Sequence, residues 1–203
     1  MDNNRWDDAR SQRGLDKLPI QTEYKYIGNF EIDFNQIYSD FKDHSDWLRA
    51  DWYVWNRTNP KRSEIPVFPI NDSTKYVRKD QVHFSELRLE EPYEQFEKIY
   101  DDLGLMPEET SYRPIKINRQ MPGDMLWMHY DYYDAGGEDD NWEKYFIFLN
   151  DWAPGQVSLW GEEAIVGWKS GDCYQIDTLI TPHGAVNCGL EERWMTTIRG
   201  RKK

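Results

Sequence analysis

Cysteine is almost missing from this chain. The two present, Cys173 and Cys188, are too few for a disulfide framework or a cysteine zinc site, and they read as free thiols. Long apolar runs are missing as well. No stretch approaches the roughly 18 residues that a membrane-spanning helix requires, and the opening "MDNNRWDDARSQRG" lacks the apolar segment of a signal peptide. The expected location is therefore cytoplasmic. Positive charge is in short supply: 25 Lys and Arg stand against 37 Asp and Glu, for a formal net charge of -12. That balance disfavours nucleic acid or an anionic membrane as the main partner, while leaving room for a local basic groove. Aromatic residues are plentiful, at 15% with ten tryptophans, enough to fill a core and to line a pocket with rings.

The 203 residues suit a single domain or a core with an N-terminal elaboration. Residues 1–22 are expected to form a poorly ordered tail, and 23–203 one domain. Within it, 23–111 reads as an α/β elaboration and 112–200 as the core. "EYKYIGNFE" alternates as a strand does. Asp33 followed by Gln36 resembles a capping box, and Phe34, Ile37, Tyr38 and Phe41 fall on one helical face. The helical pattern is expected to resume through "SDWLRADWYVW". A second helix begins near Pro92, lines Tyr93, Phe96, Tyr100 and Leu103 on one face, and ends at Gly104.

From Tyr112 the rhythm changes. "YRPIKINRQ", "MLWMHYDYY", "EKYFIFLN", "GQVSLW", "EAIVGW", "DCYQID", "HGAVN" and "RWMTTIRG" are short alternating or apolar runs, separated by Gly, Pro, Asp and Asn. About eight strands in 90 residues is the spacing of a sandwich or barrel. The predicted class is mainly β with N-terminal helices: a double-stranded β-helix, or cupin-like jelly roll, buttressed by those helices.

Two of the four histidines occur in an H-x-D: His44 with Asp46, and His129 with Asp131. His44 lies in a helical pattern, where residues two apart diverge. His129 lies in a strand pattern, where residues two apart share a face, so His129 and Asp131 can reach one metal; Met125 and Trp127 are expected on the same inward face. A buried charge needs such a partner. His183, at the start of "HGAVN", is the candidate third ligand. Two imidazoles and one carboxylate form the facial triad of non-haem Fe(II) oxygenases, with positions left open for a bidentate 2-oxo acid and dioxygen. Arg193, ten residues after His183, offers a planar fork to the far carboxylate of such an acid. Arg199 shares its parity and is the fallback.

"HYD" on a strand followed by "PHGAVNCGLEERWMTTIRG" resembles the Fe(II)/2-oxoglutarate-dependent dioxygenase superfamily, over roughly residues 112–200. "FIFLNDW" is similar to its prolyl-hydroxylase-like members, and "INRQMPGDMLWMHYD" to small phage-type hydroxylases. The resemblance implies Fe(II) held by His129, Asp131 and His183, with Arg193 on the 2-oxoglutarate C5 carboxylate. Many members carry Ser or Thr two residues after this Arg. Here the position is Met195, so another polar group must assist: Lys144, Tyr145 or Asn118. Asn187 either faces the pocket or satisfies backbone at a strand end. The implied activity is hydroxylation of an unactivated C–H of an amino-acid, peptide or small-metabolite substrate, consuming O2 and 2-oxoglutarate and releasing succinate and CO2. Asp131 favours hydroxylation over halogenation, because related halogenases lack this carboxylate. The alternative is a cupin-like metal-dependent isomerase or a metal-binding sensor, which would not need Arg193. The acidic loop "DAGGEDDN" near the site mouth would favour a cationic substrate. Oligomeric state is not legible in the sequence.

Overall fold

The computed structural model describes residues 22–51, 83–89, 92–106, 115–129, 142–178 and 180–202. Their elements are β1 (Tyr24–Asn29), α1 (Phe34–Phe41), β2 (Leu48–Asp51), β3 (His83–Arg88), α2 (Glu94–Asp102), β4 (Leu105–Met106), β5 (Lys116–Gln120), β6 (Met125–His129), β7 (Trp142–Phe148), β8 (Gln156–Trp160), β9 (Glu163–Ile165), β10 (Asp172–Ile176), β11 (His183–Asn187) and β12 (Arg193–Lys202). Among the described residues an eight-stranded sheet runs β1-β10-β7-β12-β5-β3-β2, with β4 beside β12, and a four-stranded sheet runs β6-β11-β8-β9. All their pairings are antiparallel. This is a mainly β jelly roll, a double-stranded β-helix with helices on one outer face.

The two-residue period of the strands sorts side chains between two cores. On β7 and β12, Tyr145, Ile147, Trp194 and Ile198 turn outward and join Ile37 and Phe41 of α1 and Phe96, Ile99 and Tyr100 of α2. Phe146, Phe148 and Met195 turn inward and meet Trp160, Trp168 and Ile176. The helices thus stiffen the larger sheet from behind and leave its other face to the interior.

Both helices follow from their sequences. Asp33 caps α1, accepting from the Gln36 amide at 3.0 Å. The other half of the capping box is absent: the Asp33 amide donates instead to Gln95 Oε1 of α2, which ties the helices together. Glu94 and Glu97 occupy the first turn of α2, where carboxylates complement the helix dipole. Gly104, at φ +66°, ends it in a conformation that glycine adopts without strain.

Two expectations fail here. Leu48–Asp51 does not continue a helix but forms β2, antiparallel to β3. The Trp and Leu spacing there suits either period, and the pairing edge of β3 decides it. The helical placement of His44 also gives way: His44 lies in the turn after α1, where its Nδ1 accepts from the Asp46 amide at 3.3 Å. Strands β1, β2 and β3, from the N-terminal half, share the larger sheet with β5, β7, β10 and β12. Residues 1–21 lie outside the described residues.

Candidate active site

The smaller sheet presents His183, Ala185 and Asn187 of β11 beside Gln156, Ser158 and Trp160 of β8, all buried. Register sets them in rows: His183 opposite Trp160, Ala185 opposite Ser158, Asn187 opposite Gln156. On its other side, β11 pairs with β6, and there His183 stands opposite position 129. Directly opposed residues of an antiparallel pair share a face, with Cβ atoms about 5 Å apart. The backbone register therefore aligns the positions of the two sequence-predicted histidines across neighbouring strands.

The expected Met125 alignment is corrected by the same register. Ala185 lies opposite Leu126, and Val186 opposite Met125, so β6 carries a bulge between Leu126 and His129. An inserted residue shifts every later position to the other face. Met125 falls on the face opposite to that of His183. Asp131 lies outside the described residues, as do the His129 and Trp127 side chains, Tyr130 and the acidic loop at 134–141. Among the described residues no three His, Cys, Asp or Glu side chains come together.

His183 is 5% exposed, with its ring centroid 5.5 Å from that of Phe146. Its Nδ1 lies 3.3 Å from the Thr181 carbonyl. An Nδ1–H donating there leaves Nε2 as the lone-pair nitrogen, the arrangement that orients a metal-binding imidazole. Thr181 is itself anchored: its hydroxyl accepts from the amide of Glu23, the residue before β1, at 2.9 Å.

The inner face of the larger sheet is built in matching rows. Arg193 stands opposite Gln120, Met195 between Asn118 and Phe148, Thr197 between Lys116 and Phe146, and Arg199 opposite Lys144. Arg193 lies at one end of these rows. It is 2% exposed, donates from Nη1 to Gln120 Oε1 at 2.8 Å and from Nη2 to Ser158 Oγ at 2.5 Å, and lies 5.4 and 5.3 Å from the ring centroids of Phe148 and Trp168. Its Nε is buried with no hydrogen-bond partner, and no carboxylate among the described residues pairs with it. Burial without a counter-charge pulls the guanidinium down from its ordinary value to about 9; it remains a cation at neutral pH.

The backbone around Arg193 is held on both sides. Asn150, within the "FIFLNDW" run, donates to the Glu192 carbonyl and accepts from the Trp194 amide. Gln156 donates to the Glu191 and Glu192 carbonyls. On the outer face Arg119 grips Glu192 bidentately, at 2.9 and 2.7 Å.

The three residues expected to assist Arg193 are scattered. Tyr145 is removed from the set: it belongs to the outer core beneath the helices, and its hydroxyl bonds Glu143. Burial and that carboxylate push the phenol well above its ordinary value. Lys144 does face inward, but in the row of Arg199, away from Arg193, with Nζ 4.9 Å from the Phe146 centroid. Asn118 is half-buried, one row from Arg193. The polar groups that touch the guanidinium are Gln120 and Ser158, which the sequence reading passed over. Alternation along "GQVSLW" was the available signal, since it puts Ser158 on the same face as Trp160. Asn187 satisfies backbone, donating to the Gln120 and Glu191 carbonyls.

No family model matches the chain, and no curated protein is significantly similar in sequence. Solved structures do resemble it. The non-haem alpha-ketoglutarate-dependent epimerase SnoN from nogalamycin biosynthesis aligns over 96% of this chain and 81% of its own, with a TM-score of 0.55 and 10% identity. The viral collagen prolyl hydroxylase of Paramecium Bursaria Chlorella virus-1, solved with 2OG, aligns over 79% and 98%, with a TM-score of 0.46 and 14% identity. A Pseudomonas putida prolyl-4-hydroxylase aligns over 84% and 100%, with a TM-score of 0.45 and 13% identity. At such identities, the likeness to SnoN shows a shared jelly-roll fold.

Proposed function

We propose that this chain is an Fe(II)- and 2-oxoglutarate-dependent dioxygenase that hydroxylates an unactivated C–H of an amino-acid, peptide or small-metabolite substrate. The observation that carries this reading is Arg193: a buried guanidinium with an orphaned Nε, aimed between Gln120 and Ser158, with no described carboxylate to neutralise it. Such a charge is costly unless an anion joins it. Its contact Ser158 lies one row, or about 7 Å at roughly 3.4 Å per residue, from the row where His183 faces position 129. A short dicarboxylate fits that offset, with one end at the histidines and the other on the guanidinium fork.

His129, Asp131 and His183 would hold the iron. Two observations support this reading: the Thr181 carbonyl leaves Nε2 of His183 available, and position 129 is in register with His183. When bound, iron with 2-oxoglutarate and O2 supplies oxidative decarboxylation to succinate and CO2 and oxidation of the substrate C–H. The chain's own part is binding and shielding. Arg193 fixes the distal carboxylate, Ser158 and Gln120 hold the fork in plane, and Phe146, Phe148 and Trp160 exclude water from the space between the sheets.

The test is anaerobic titration of the Fe(II) protein with 2-oxoglutarate, followed by its visible charge-transfer band, and then aerobic succinate release across a substrate panel. A saturable band with substrate-stimulated succinate is the expected result. Absence of any band in the metal-loaded wild type would remove the oxygenase reading and leave a cupin-like isomerase or sensor.

A further inference from the structure

The aromatic residues of the inner core are not chemically equivalent. Phe146 and Phe148 carry benzene rings, which resist one-electron oxidation. Indole and phenol are the most easily oxidised ring side chains, and four of them form one connected series. Trp160 is 2% exposed. A single row of the smaller sheet places it opposite His183 on one side and opposite Glu163 on the other. Its ring centroid lies 5.1 Å from that of Tyr24 and 5.0 Å from that of Tyr174, both in edge contacts. Tyr174 in turn lies 5.1 Å from Tyr26, which is 50% exposed. Rings at these separations touch directly, so an electron passing along the series crosses no saturated chain.

The two tyrosines at the outer ends each hold a base. A phenol gives up an electron readily only when its proton leaves as well, and the acceptor must stand within hydrogen-bond reach. Tyr24 Oη donates to Glu163 Oε2 at 2.5 Å, the short contact of a charge-assisted bond. Tyr26 Oη donates to Asp172 Oδ1 at 3.0 Å. The bond to Glu163 first, and burial second, push the Tyr24 phenol up to about 12, so its proton rests on the phenol at neutral pH. Both bonds are exposed, within reach of a reductant in solution. Packing alone does not require these hydroxyls, since a phenylalanine at position 24 would set the same ring against Trp160.

We propose that Trp160, with Tyr24 and Tyr26 as its two exits, carries oxidising equivalents from the iron site to the surface and so protects the interior when O2 is activated without a substrate. This rests on the oxygenase reading and adds to it a protective one-electron activity. The oxidant formed at the iron takes one electron from the Trp160 indole, leaving a radical cation. Tyr24 returns that electron, its O–H proton passes to Glu163, and a neutral phenoxyl radical is left near the surface. By the second exit the electron comes from Tyr26 across the bridging ring of Tyr174, and the Tyr26 proton passes to Asp172. A thiol reductant in solution then supplies one electron, the carboxylate returns the proton, and the phenol is restored.

The Fe(II) protein with 2-oxoglutarate and no prime substrate is mixed with O2, freeze-quenched and read by electron paramagnetic resonance, with peptide mass spectrometry on the same samples. Wild type should show a tyrosyl radical whose hyperfine pattern narrows when its tyrosines are ring-deuterated. Tyr24→Phe combined with Tyr26→Phe should lose most of that signal and gain an added oxygen on Trp160, with circular dichroism and iron affinity unchanged. Glu163→Gln combined with Asp172→Asn keeps hydrogen-bond acceptors but removes the bases, and should also lose most of the signal. Trp160→Phe should lose it too. The proposal is overturned if wild type forms no tyrosyl radical, or if the paired tyrosine variant keeps the signal or leaves Trp160 unmodified. A parallel set uses hydrogen peroxide in place of O2 and 2-oxoglutarate, so the conduit is tested at the iron whether or not the cosubstrate binds. A radical with peroxide but no Fe(II)-oxoglutarate band would keep the conduit and remove the oxygenase reading. The band without a radical from either oxidant would do the reverse.

Discussion

Position 129 stands directly opposite His183 across the β6–β11 pair, and a bulge in β6 is what brings it there. Without the extra residue, the pairing of Leu126 with Ala185 would carry position 128 to the row of His183, and position 129 to the other face. Bulges recur beside active sites because they re-aim one side chain while the ladder continues.

The proposed metal centre can be tested through that pairing. His183→Ala and His129→Ala should each abolish Fe(II) binding or weaken it severely while the sheets stay folded, and Asp131→Ala should do the same. His44→Ala should leave affinity unchanged, since His44 is exposed and among the described residues touches only its own turn and Phe41. Calorimetric titration with Co(II) or Fe(II) measures this directly. Full affinity in His183→Ala would sink the metal assignment.

Much of the architecture was legible because strands buried on one or both faces write their period into the sequence. "HGAVN" and "GQVSLW" are β11 and β8 to the residue or nearly so, and Asp33 and Gly104 mark real helix ends. Four things were hidden. "SDWLRADWYVW" satisfies two periods at once, so β2 was misread as helix. "HFSELR" has little apolar content, and it forms β3 because β2 and β5 flank it. The bulge leaves no compositional mark at all, so the strand that carries position 129 was readable while the register along it was not. Near Arg193, Gln120 and Ser158 escaped notice because polar residues in strands usually face water, and only the closing of the second sheet buries them.

The guanidinium pocket yields a graded series. If Arg193 anchors 2-oxoglutarate as proposed, Arg193→Ala would leave the distal carboxylate without a cation in a dry site, a loss of about 3–5 kcal/mol, or two orders of magnitude and more in affinity. Arg193→Lys should recover only part, since an ammonium cannot reproduce the planar fork. Ser158→Ala removes one hydrogen bond from the charged group, which is worth about 1.5–3 kcal/mol at most, and should cost about tenfold. Iron affinity should be unchanged in all three. Equal losses of iron and oxoglutarate would mean that the substitutions act through folding.

Glu192 offers a test of how the pocket is braced from outside. Its carboxylate takes two bonds from Arg119 and one from Trp194 Nε1 at 2.8 Å, and Arg119 lies 5.2 Å from the Trp194 ring centroid. Because the pair is only partly exposed and bidentate, it should exceed the usual surface ion pair. Glu192→Ala should lower stability by about 1–2 kcal/mol and Tm by a few degrees. Arg119→Ala combined with Glu192→Ala should cost less than the sum of the two. Strict additivity in that cycle would show that the contact contributes nothing of its own.

The two thiols should behave oppositely. Cys188 is exposed and Cys173 buried, so a disulfide reagent should titrate one thiol in the native protein and two after unfolding. The buried thiol also makes stability depend on alkaline pH. Burial first, and the neighbouring Asp172 charge second, push Cys173 up to about 12 from an ordinary value of 9.0. Between those values the unfolded chain has released its proton and the native protein has not, so the native state binds more protons and stability falls as pH rises. One such group contributes a slope of at most about 1.4 kcal/mol per pH unit. Arg193 acts with the opposite sign, since its lowered value lets the native state release a proton first. Comparing wild type with Cys173→Ala cancels that contribution. Urea unfolding at pH 8, 9 and 10 should show wild type losing stability more steeply than the variant, with the gap opening above pH 9. Parallel pH profiles for the two proteins would mean that Cys173 ionises in the native state as readily as in the unfolded chain, and that its burial is not what the packing of β10 against β7 implies.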